Sequence, residues 1–157
     1  MLSLVQSSVM TTDKSVSGDS QRMREVWISW SLVALWMLFI FVLSAQSALG
    51  GMEWPPIYMA LRKSGHILEY AALGVLLGRA LSATWSERGG KNIASRAMLA
   101  RTWWVGVLLA TLYAATDEFH QSFVPQRGAH IEDVAIDALS ATAALGIWYI
   151  MRNRRHK

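Results

Sequence analysis

Four long apolar runs divide this 157-residue chain and constrain its fold more than any other feature. They extend from Val26 to about Ser44, from about Lys63 to Leu81, from about Thr102 to Phe123, and from about Ile131 to Met151. Each holds roughly the 20 residues that an α-helix needs to cross the hydrocarbon core of a bilayer. In hydrocarbon, backbone N–H and C=O groups can form hydrogen bonds only with one another, which an α-helix allows within one segment. We therefore predict an all-α fold, an integral membrane bundle of four transmembrane helices.

The composition agrees with a membrane protein. Apolar residues make up 53% of the chain and charged residues only 17%, and the mean hydropathy is +0.26. The absence of cysteine excludes disulfides and thiolate chemistry. The net charge of +4 does not indicate a nucleic-acid partner, because the basic residues flank the apolar runs, as membrane topology requires. The partner that the composition predicts is the lipid bilayer.

The polar stretches predict the domain organisation. Residues 1–25 are expected to form a loose polar N-terminal tail, residues 26–151 the membrane domain, and residues 152–157 a basic tail. A signal peptide is not expected, because the first apolar run is too long. Three connections are expected, and each contains helix-breaking or turn-forming residues. The first covers 45–62 and contains Gly50-Gly51 and Pro55-Pro56, and the second covers 82–101 and contains Gly89-Gly90. The third is a tight turn over 125–128.

The distribution of basic residues predicts the orientation. Twelve of the fifteen Lys and Arg residues fall in the N-terminal tail, the segment between the second and third spans, or the C-terminus. Only Arg62, Lys63 and Arg127 fall on the other side. Cytoplasmic loops carry the excess of positive charge, so we expect both termini in the cytoplasm.

Polar side chains recur at the predicted extracytoplasmic ends of three spans. Residues three and four apart share a helix face, which aligns Lys63, His66 and Tyr70 and, on the third span, Asp117 with His120; Glu118 is expected to point elsewhere. Ionisable groups are costly in a membrane and are functional-site candidates by default. The candidate polar pocket comprises Lys63, His66, Glu69, Tyr70, Asp117, Glu118, His120, Gln121, Arg127, Asp133 and Asp137.

Each candidate also has an ordinary structural explanation. Lys63 can extend its amino group to the interface, and Glu118 can lie hydrated at head-group level. Arg127 stands beside several acids, so we expect it to pair with them. Asp117 and Asp137 are hardest to explain by structure alone, because they lie a turn or more inside their spans.

These residues also resemble a known family. Asp117-Glu118-x-His120-Gln121-x-Phe123-x-Pro125-x-Arg127, followed by Asp133, resembles the signature of VanZ-like membrane proteins, and so does the block Lys63-x-x-His66-x-x-Glu69-Tyr70. The resemblance covers about residues 26–150. Gln126 departs from a frequent Gly, and Asp137 from a frequent Asn. The resemblance implies a multi-pass protein of the bacterial cytoplasmic membrane. The founding member is linked to low-level resistance to teicoplanin, a lipid-bearing glycopeptide; this link is to the family only.

Three kinds of function remain open from the sequence. The first is a binding or accessory module whose pocket holds the polar head of a cell-envelope amphiphile, such as a lipid-linked precursor or a glycopeptide. The second is a membrane-embedded enzyme in which Asp117 or Glu118 works with His120 as acid and base. The third is proton or ion movement. The sequence identifies no cofactor, and it leaves the oligomeric state undetermined.

A metal-dependent variant of the enzyme hypothesis has its own ligand set. His66, His120, Asp117 and Asp133 carry nitrogen and oxygen donors of the kind that hold divalent metals. The spacing of these residues does not match the zinc motif with two histidines four apart on one helix.

Overall fold

In the computed structural model, the described residues form four α-helices. The structure describes residues 2–46, 56–86, 96–125 and 127–154, and within them the side chains of 18–46, 63–85, 98–125 and 127–154. The helices are α1 (Leu2–Ser44), α2 (Pro56–Ser86), α3 (Arg96–Gln121) and α4 (Ile131–Arg154). The described residues contain no strand, which agrees with the predicted all-α class.

Each helix contains a segment long and apolar enough to cross a membrane. These segments are Gly18–Ser44, Lys63–Trp85, Met98–Gln121 and Ile131–Arg154. They overlap all four predicted spans, so the described residues hold a helix long and apolar enough to cross a membrane at each predicted place. Many large apolar side chains on the outside of the bundle are exposed, among them Trp27, Leu35, Leu68, Leu108 and Leu139. A lipid environment solvates such side chains, whereas water does not.

The helix boundaries differ from the prediction mainly outside the apolar runs. α1 begins at Leu2, so the expectation of a loose tail over 1–25 is wrong for the described part of that segment. Residues 2–25 contain no proline and only one glycine, Gly18, so nothing in them forces the helix to end.

The two long connections are shorter than predicted. α2 begins at Pro56, because proline suits the first turn of a helix, where its missing N–H costs nothing. α2 continues to Ser86 and α3 begins at Arg96, so both enter the predicted connection 82–101. The predicted breaks at Gly50-Gly51, Pro55 and Gly89-Gly90 lie outside the described residues. α3 ends at Gln121, and the N–H of Arg127 donates to the carbonyl oxygen of Val124 in the following turn.

The helices run antiparallel in sequence order around a central helix, α2. This helix contacts each of the other three, α4 packs against α2 and α3, and α1 packs mainly against α2 and only sparsely against α3. The buried core contains Ile40, Leu73, Leu77, Ala110, Ala114 and Ala141. We call the end of the bundle that contains Ser44, Lys63, Gln121 and Ile131 the pocket end.

A close approach between α2 and α4 depends on glycine. A Cβ atom at Gly74 would lie 2.9 Å from the carbonyl carbon of Ala141, and one at Gly78 would lie 2.6 Å from the Leu145 side chain. Neither leaves room for a methyl group. The Gly74/Gly78 pair therefore brings α4 directly against the central helix.

Two tryptophan indoles and one tyrosine hydroxyl attach α1 to the bundle. Trp30 Nε1 donates to Thr84 Oγ1 at 3.0 Å, and Trp36 Nε1 donates to the carbonyl oxygen of Glu69 at 2.9 Å. The Tyr113 hydroxyl on α3 donates to the carbonyl oxygen of Met37. These bonds fix α1 at several levels of the membrane segment.

Candidate functional site

A small pocket lies between α2, α3 and α4 at the pocket end. Its volume is about 40 Å³, and it is lined by Lys63, His66, Glu118, Gln121, Asp133, Ile136 and Asp137. A water molecule needs roughly 10–15 Å³ measured in this way, so the space suits about three waters or one small polar group. We call it the polar pocket. Six of its seven lining residues belong to the set that the sequence predicted.

Two pairs of ionisable side chains join α2 to α4 along the polar pocket. Lys63 Nζ lies 3.1 Å from Asp133 Oδ1, and His66 Nδ1 lies 3.6 Å from Asp137 Oδ2. The Lys63 side chain is 55% exposed and lies at the mouth, whereas the Asp137 side chain is only 3% exposed. Asp133 and Asp137 lie one helical turn apart on α4, and Lys63 and His66 lie about one turn apart on α2. Each acid can therefore face its own partner across the two helices.

Asp137 retains an unused acceptor. Its distance of 3.6 Å from His66 permits electrostatic attraction but exceeds the range of an N–H···O hydrogen bond. Among the described residues, Asp137 Oδ2 has no hydrogen-bond partner. Most buried polar atoms are hydrogen-bonded, so an exception in a residue that lines a cavity calls for an explanation such as a bound water or ligand.

Glu118 lies inside the pocket, contrary to the prediction that it points away. The residue is 4% exposed, and its Oε2 accepts a 3.1 Å hydrogen bond from the backbone N–H of His130, just before α4 begins. The first N–H groups of a helix have no partner within the helix, and a carboxylate there is favoured by the helix dipole. Glu118 therefore lines the pocket and also caps α4.

Asp117 lies on the side of α3 that faces α1. It accepts a 2.6 Å hydrogen bond from Ser44 Oγ and a 2.9 Å bond from Gln121 Nε2, and it is 2% exposed. Its two carboxylate oxygens are thus both occupied. Tyr70 lies nearby, fully buried, and its hydroxyl has no hydrogen-bond partner among the described residues.

Besides Asp117 and Tyr70, three further predicted residues do not line the polar pocket. The centres of the His120 and Phe41 rings lie 4.3 Å apart, so His120 packs against α1. Its neighbour Gln121, in contrast, lines the polar pocket. Arg127 Nη1 donates to the carbonyl oxygen of Ser44, at the last turn of α1, where a cation is favoured by the helix dipole. Glu69 is half-buried on α2 and its backbone accepts the Trp36 indole.

The predicted metal ligand set is not assembled. His66 lines the polar pocket while His120 packs against α1, and Asp117 is engaged by Ser44 and Gln121. Across the described residues, no group of three or more His, Asp or Glu side chains has the arrangement to hold a metal ion.

Ile136 is the pocket residue that the sequence did not reveal. It lies one position before Asp137 on α4 and closes one wall of the polar pocket with an apolar side chain. In an apolar helix, the sequence does not distinguish an isoleucine that lines a pocket from one that contacts lipid. Only its spacing of three from Asp133 indicates the shared face.

Comparison with known protein families identifies a relationship that covers most of the chain. A family model described as VanZ/LLP1 matches residues 4–152, nearly the whole chain. No curated protein and no solved structure matches the chain.

Proposed function

We propose that the polar pocket of this chain, which belongs to the VanZ/LLP1 family, binds the polar head of a cell-envelope amphiphile. The protein is an integral membrane protein with four candidate spans, so amphiphiles are the molecules that meet it at the required depth. The observation that carries the proposal is the buried Asp137 carboxylate, which lines this pocket and whose Oδ2 has no hydrogen-bond partner among the described residues. A hydrogen-bond donor on the ligand would give this carboxylate the partner that it lacks.

The charge of the pocket favours a head that donates hydrogen bonds. Three carboxylates, those of Glu118, Asp133 and Asp137, line it with one lysine and one histidine. Carboxylates accept hydrogen bonds only, so they select hydroxyl or ammonium groups. Lys63 at the mouth is suited to the phosphate of the same head.

The size of the pocket limits what enters it. A volume of about 40 Å³ accepts one terminal amine or hydroxyl group. A glycopeptide or an intact sugar is much larger than the roughly three waters that fill this space. The bulk of any larger ligand therefore lies outside the pocket, and recognition concerns its end group.

We place the polar pocket on the extracytoplasmic side of a bacterial cytoplasmic membrane. Arg79, Arg101, Arg152 and Arg154 lie toward the other end of the described helices, with most of the remaining basic residues in the flanking sequence. The positive-inside rule assigns that end to the cytoplasm. A pocket on the outer side meets lipids and envelope precursors after their export.

Head-group selectivity tests the proposal. The purified protein in detergent is heated with short-chain phosphatidylethanolamine, phosphatidylglycerol or phosphatidylcholine, and its melting temperature is measured. The amine and hydroxyl heads are expected to stabilise the protein more than choline, which has no N–H or O–H to donate. Asp137→Asn is expected to abolish this difference, whereas the matched control Glu132→Gln, at an exposed position on α4, retains it. Equal stabilisation of the native protein by all three lipids would refute the proposal.

The pairing of His66 with Asp137 supports a second candidate function, an acid–base enzyme acting on the bound head. A carboxylate beside Nδ1 orients an imidazole so that its other nitrogen can exchange protons, as in hydrolases of many folds. Incubation with the same lipids, followed by mass spectrometry, distinguishes the two. An enzyme yields a product that disappears with His66→Gln, and a binding module yields none.

A further inference from the structure

We propose that a groove between α1 and α3 holds a hydrocarbon chain of a membrane lipid. This inference is separate from the polar pocket and its head-group ligand, since the two sites share no lining residue. The groove has a volume of about 210 Å³ and is lined mainly by apolar side chains, namely Trp30, Val33, Met37, Leu73, Leu77 and Leu109. We call it the α1–α3 groove.

The groove exists because α1 rests on α2 and barely touches α3. α1 and α3 both pack against the central helix, while their mutual contacts are sparse. Leu73 and Leu77 of α2, both nearly fully buried, therefore form the floor, and α1 and α3 form the two walls. The space between the walls is left by the packing of the helices themselves.

Hydrogen bonds mark the two ends of the groove. The Tyr113 hydroxyl donates to the carbonyl oxygen of Met37 at the end nearer the polar pocket. Trp30 donates to Thr84 toward the other end. From Trp30 to Met37 the α1 wall rises about 10 Å at 1.5 Å per residue. With the Tyr113 hydroxyl and the Trp30 indole already bonded, the groove offers an occupant almost only apolar contacts.

The surroundings of the groove point to a lipid chain. All of its lining residues lie within the candidate membrane spans of the three helices, so it opens at the depth of the hydrocarbon. The flanking residues by helical spacing are Leu38 on α1 and Leu112 on α3, and both are exposed. The groove is thus continuous with the lipid-facing surface of the bundle.

The size of the groove excludes a helix and suits a chain. A helix with its side chains is about 10–12 Å across, which a space of this volume cannot contain. An apolar cavity of about 150 Å³ stays dry and binds small apolar molecules such as benzene. A larger groove open to the bilayer is therefore filled by an acyl or isoprenoid chain.

Photocrosslinking tests this assignment in the full-length protein. The chain is placed in nanodiscs containing a phospholipid with a diazirine on its acyl chain, and adducts are mapped by mass spectrometry after irradiation. Adducts at Val33 and Met37 are expected to exceed those at Leu35, which faces outward on the same helix and is 63% exposed. Equal labelling of all three positions would show only general contact with the bilayer and overturn the proposal.

A matched pair of substitutions separates groove occupancy from surface contact. Leu109→Trp fills the groove and is expected to lower the adducts at Val33 and Met37 several-fold. Leu108→Trp, at the adjacent position on the lipid-facing side, is expected to leave them unchanged. Leu77→Phe is a second filling variant, to be used if Leu109→Trp does not fold. Unchanged adducts in a folded filling variant would contradict the proposal.

A photoreactive amino acid at Met37 identifies the occupant directly. Benzoylphenylalanine at this position is expected to form adducts with phospholipid. An adduct with a second copy of the chain would instead assign the groove to a protein interface and overturn the inference. Loss of head-group selectivity at the polar pocket would not affect this result, because the readout depends only on residues of the groove.

Discussion

Ser44 in the last turn of α1 donates a 2.6 Å hydrogen bond to Asp117 on α3, across 73 residues of sequence. Asp117 is 2% exposed and receives its other bond from Gln121 of its own helix. The bond from Ser44 thus ties this buried acid to another helix. α1 and α3 otherwise contact each other sparsely, so the bond also holds the two helices together at the pocket end.

Ser44→Ala is expected to destabilise the fold. It leaves one Asp117 oxygen buried without a donor, at a cost of about 1–2 kcal/mol, since polar contacts in membranes fall at the lower end of the range. Unfolding by SDS in mixed micelles measures the change. Ser140→Ala is the matched control, because Ser140 donates only to the carbonyl of Ile136 in its own helix. The prediction is wrong if both variants unfold alike.

Gly74→Ala is expected to separate α2 from α4. The new methyl group would meet the backbone of Ala141, and overpacking of this kind costs about 1–3 kcal/mol. Gly65→Ala is the control on the same helix, where the atom nearest to an added Cβ would be Glu69 Oε1 at 4.0 Å. Alanine there is expected to be neutral or mildly stabilising, because it favours helix over glycine. Thermal unfolding in detergent distinguishes the two, and equal melting temperatures would refute the packing argument.

Glu118→Ala is expected to loosen the start of α4. Removal of a capping acceptor costs about 1 kcal/mol and exposes the His130 amide to exchange. Hydrogen exchange at the backbone of His130 measures this, and Glu118→Gln, which keeps an acceptor oxygen, is expected to restore much of the protection. Glu132→Ala, in the exposed first turn of α4, serves as the control. If Glu132→Ala speeds exchange at the His130 amide and Glu118→Ala does not, Glu118 is not the cap of α4.

The proposed orientation is directly measurable because the chain has no cysteine. A single Ala129→Cys at the pocket end is expected to react with a membrane-impermeant maleimide in intact spheroplasts. Asn153→Cys at the opposite end is expected to react only after lysis. Both positions are exposed in the fold, so access to the thiol depends on the membrane and not on packing. The opposite labelling pattern would place the polar pocket in the cytoplasm.

The spans could be predicted because the free energy of crossing a membrane is a property of a whole segment. About 20 apolar residues identify a helix however its side chains pack. The beginning of α1 could not be predicted in the same way, because residues 2–25 carry neither an apolar run nor a helix-breaking residue. Their polar composition suggested a tail, and composition alone does not terminate a helix.

The site was predictable to the level of helix faces and no further. Asp133 and Asp137 share a face, and both meet α2 as their spacing predicts. Glu118 was wrongly placed because α3 has neighbours on two sides. Asp117 turns toward α1 and Glu118, 100° away, turns toward α4, so both are buried. A single helix cannot reveal which of its sectors face protein.

The order of these residues in the chain determines which partner of each polar contact is synthesised first. Ser44 precedes Asp117, and Lys63 and His66 precede Asp133 and Asp137. In each pair the hydroxyl donor or the cation leaves the ribosome first, and the carboxylate follows with a later helix. The partner of each acid is therefore already resident in the bilayer when that acid arrives, and stepwise insertion need not strand a lone carboxylate in hydrocarbon.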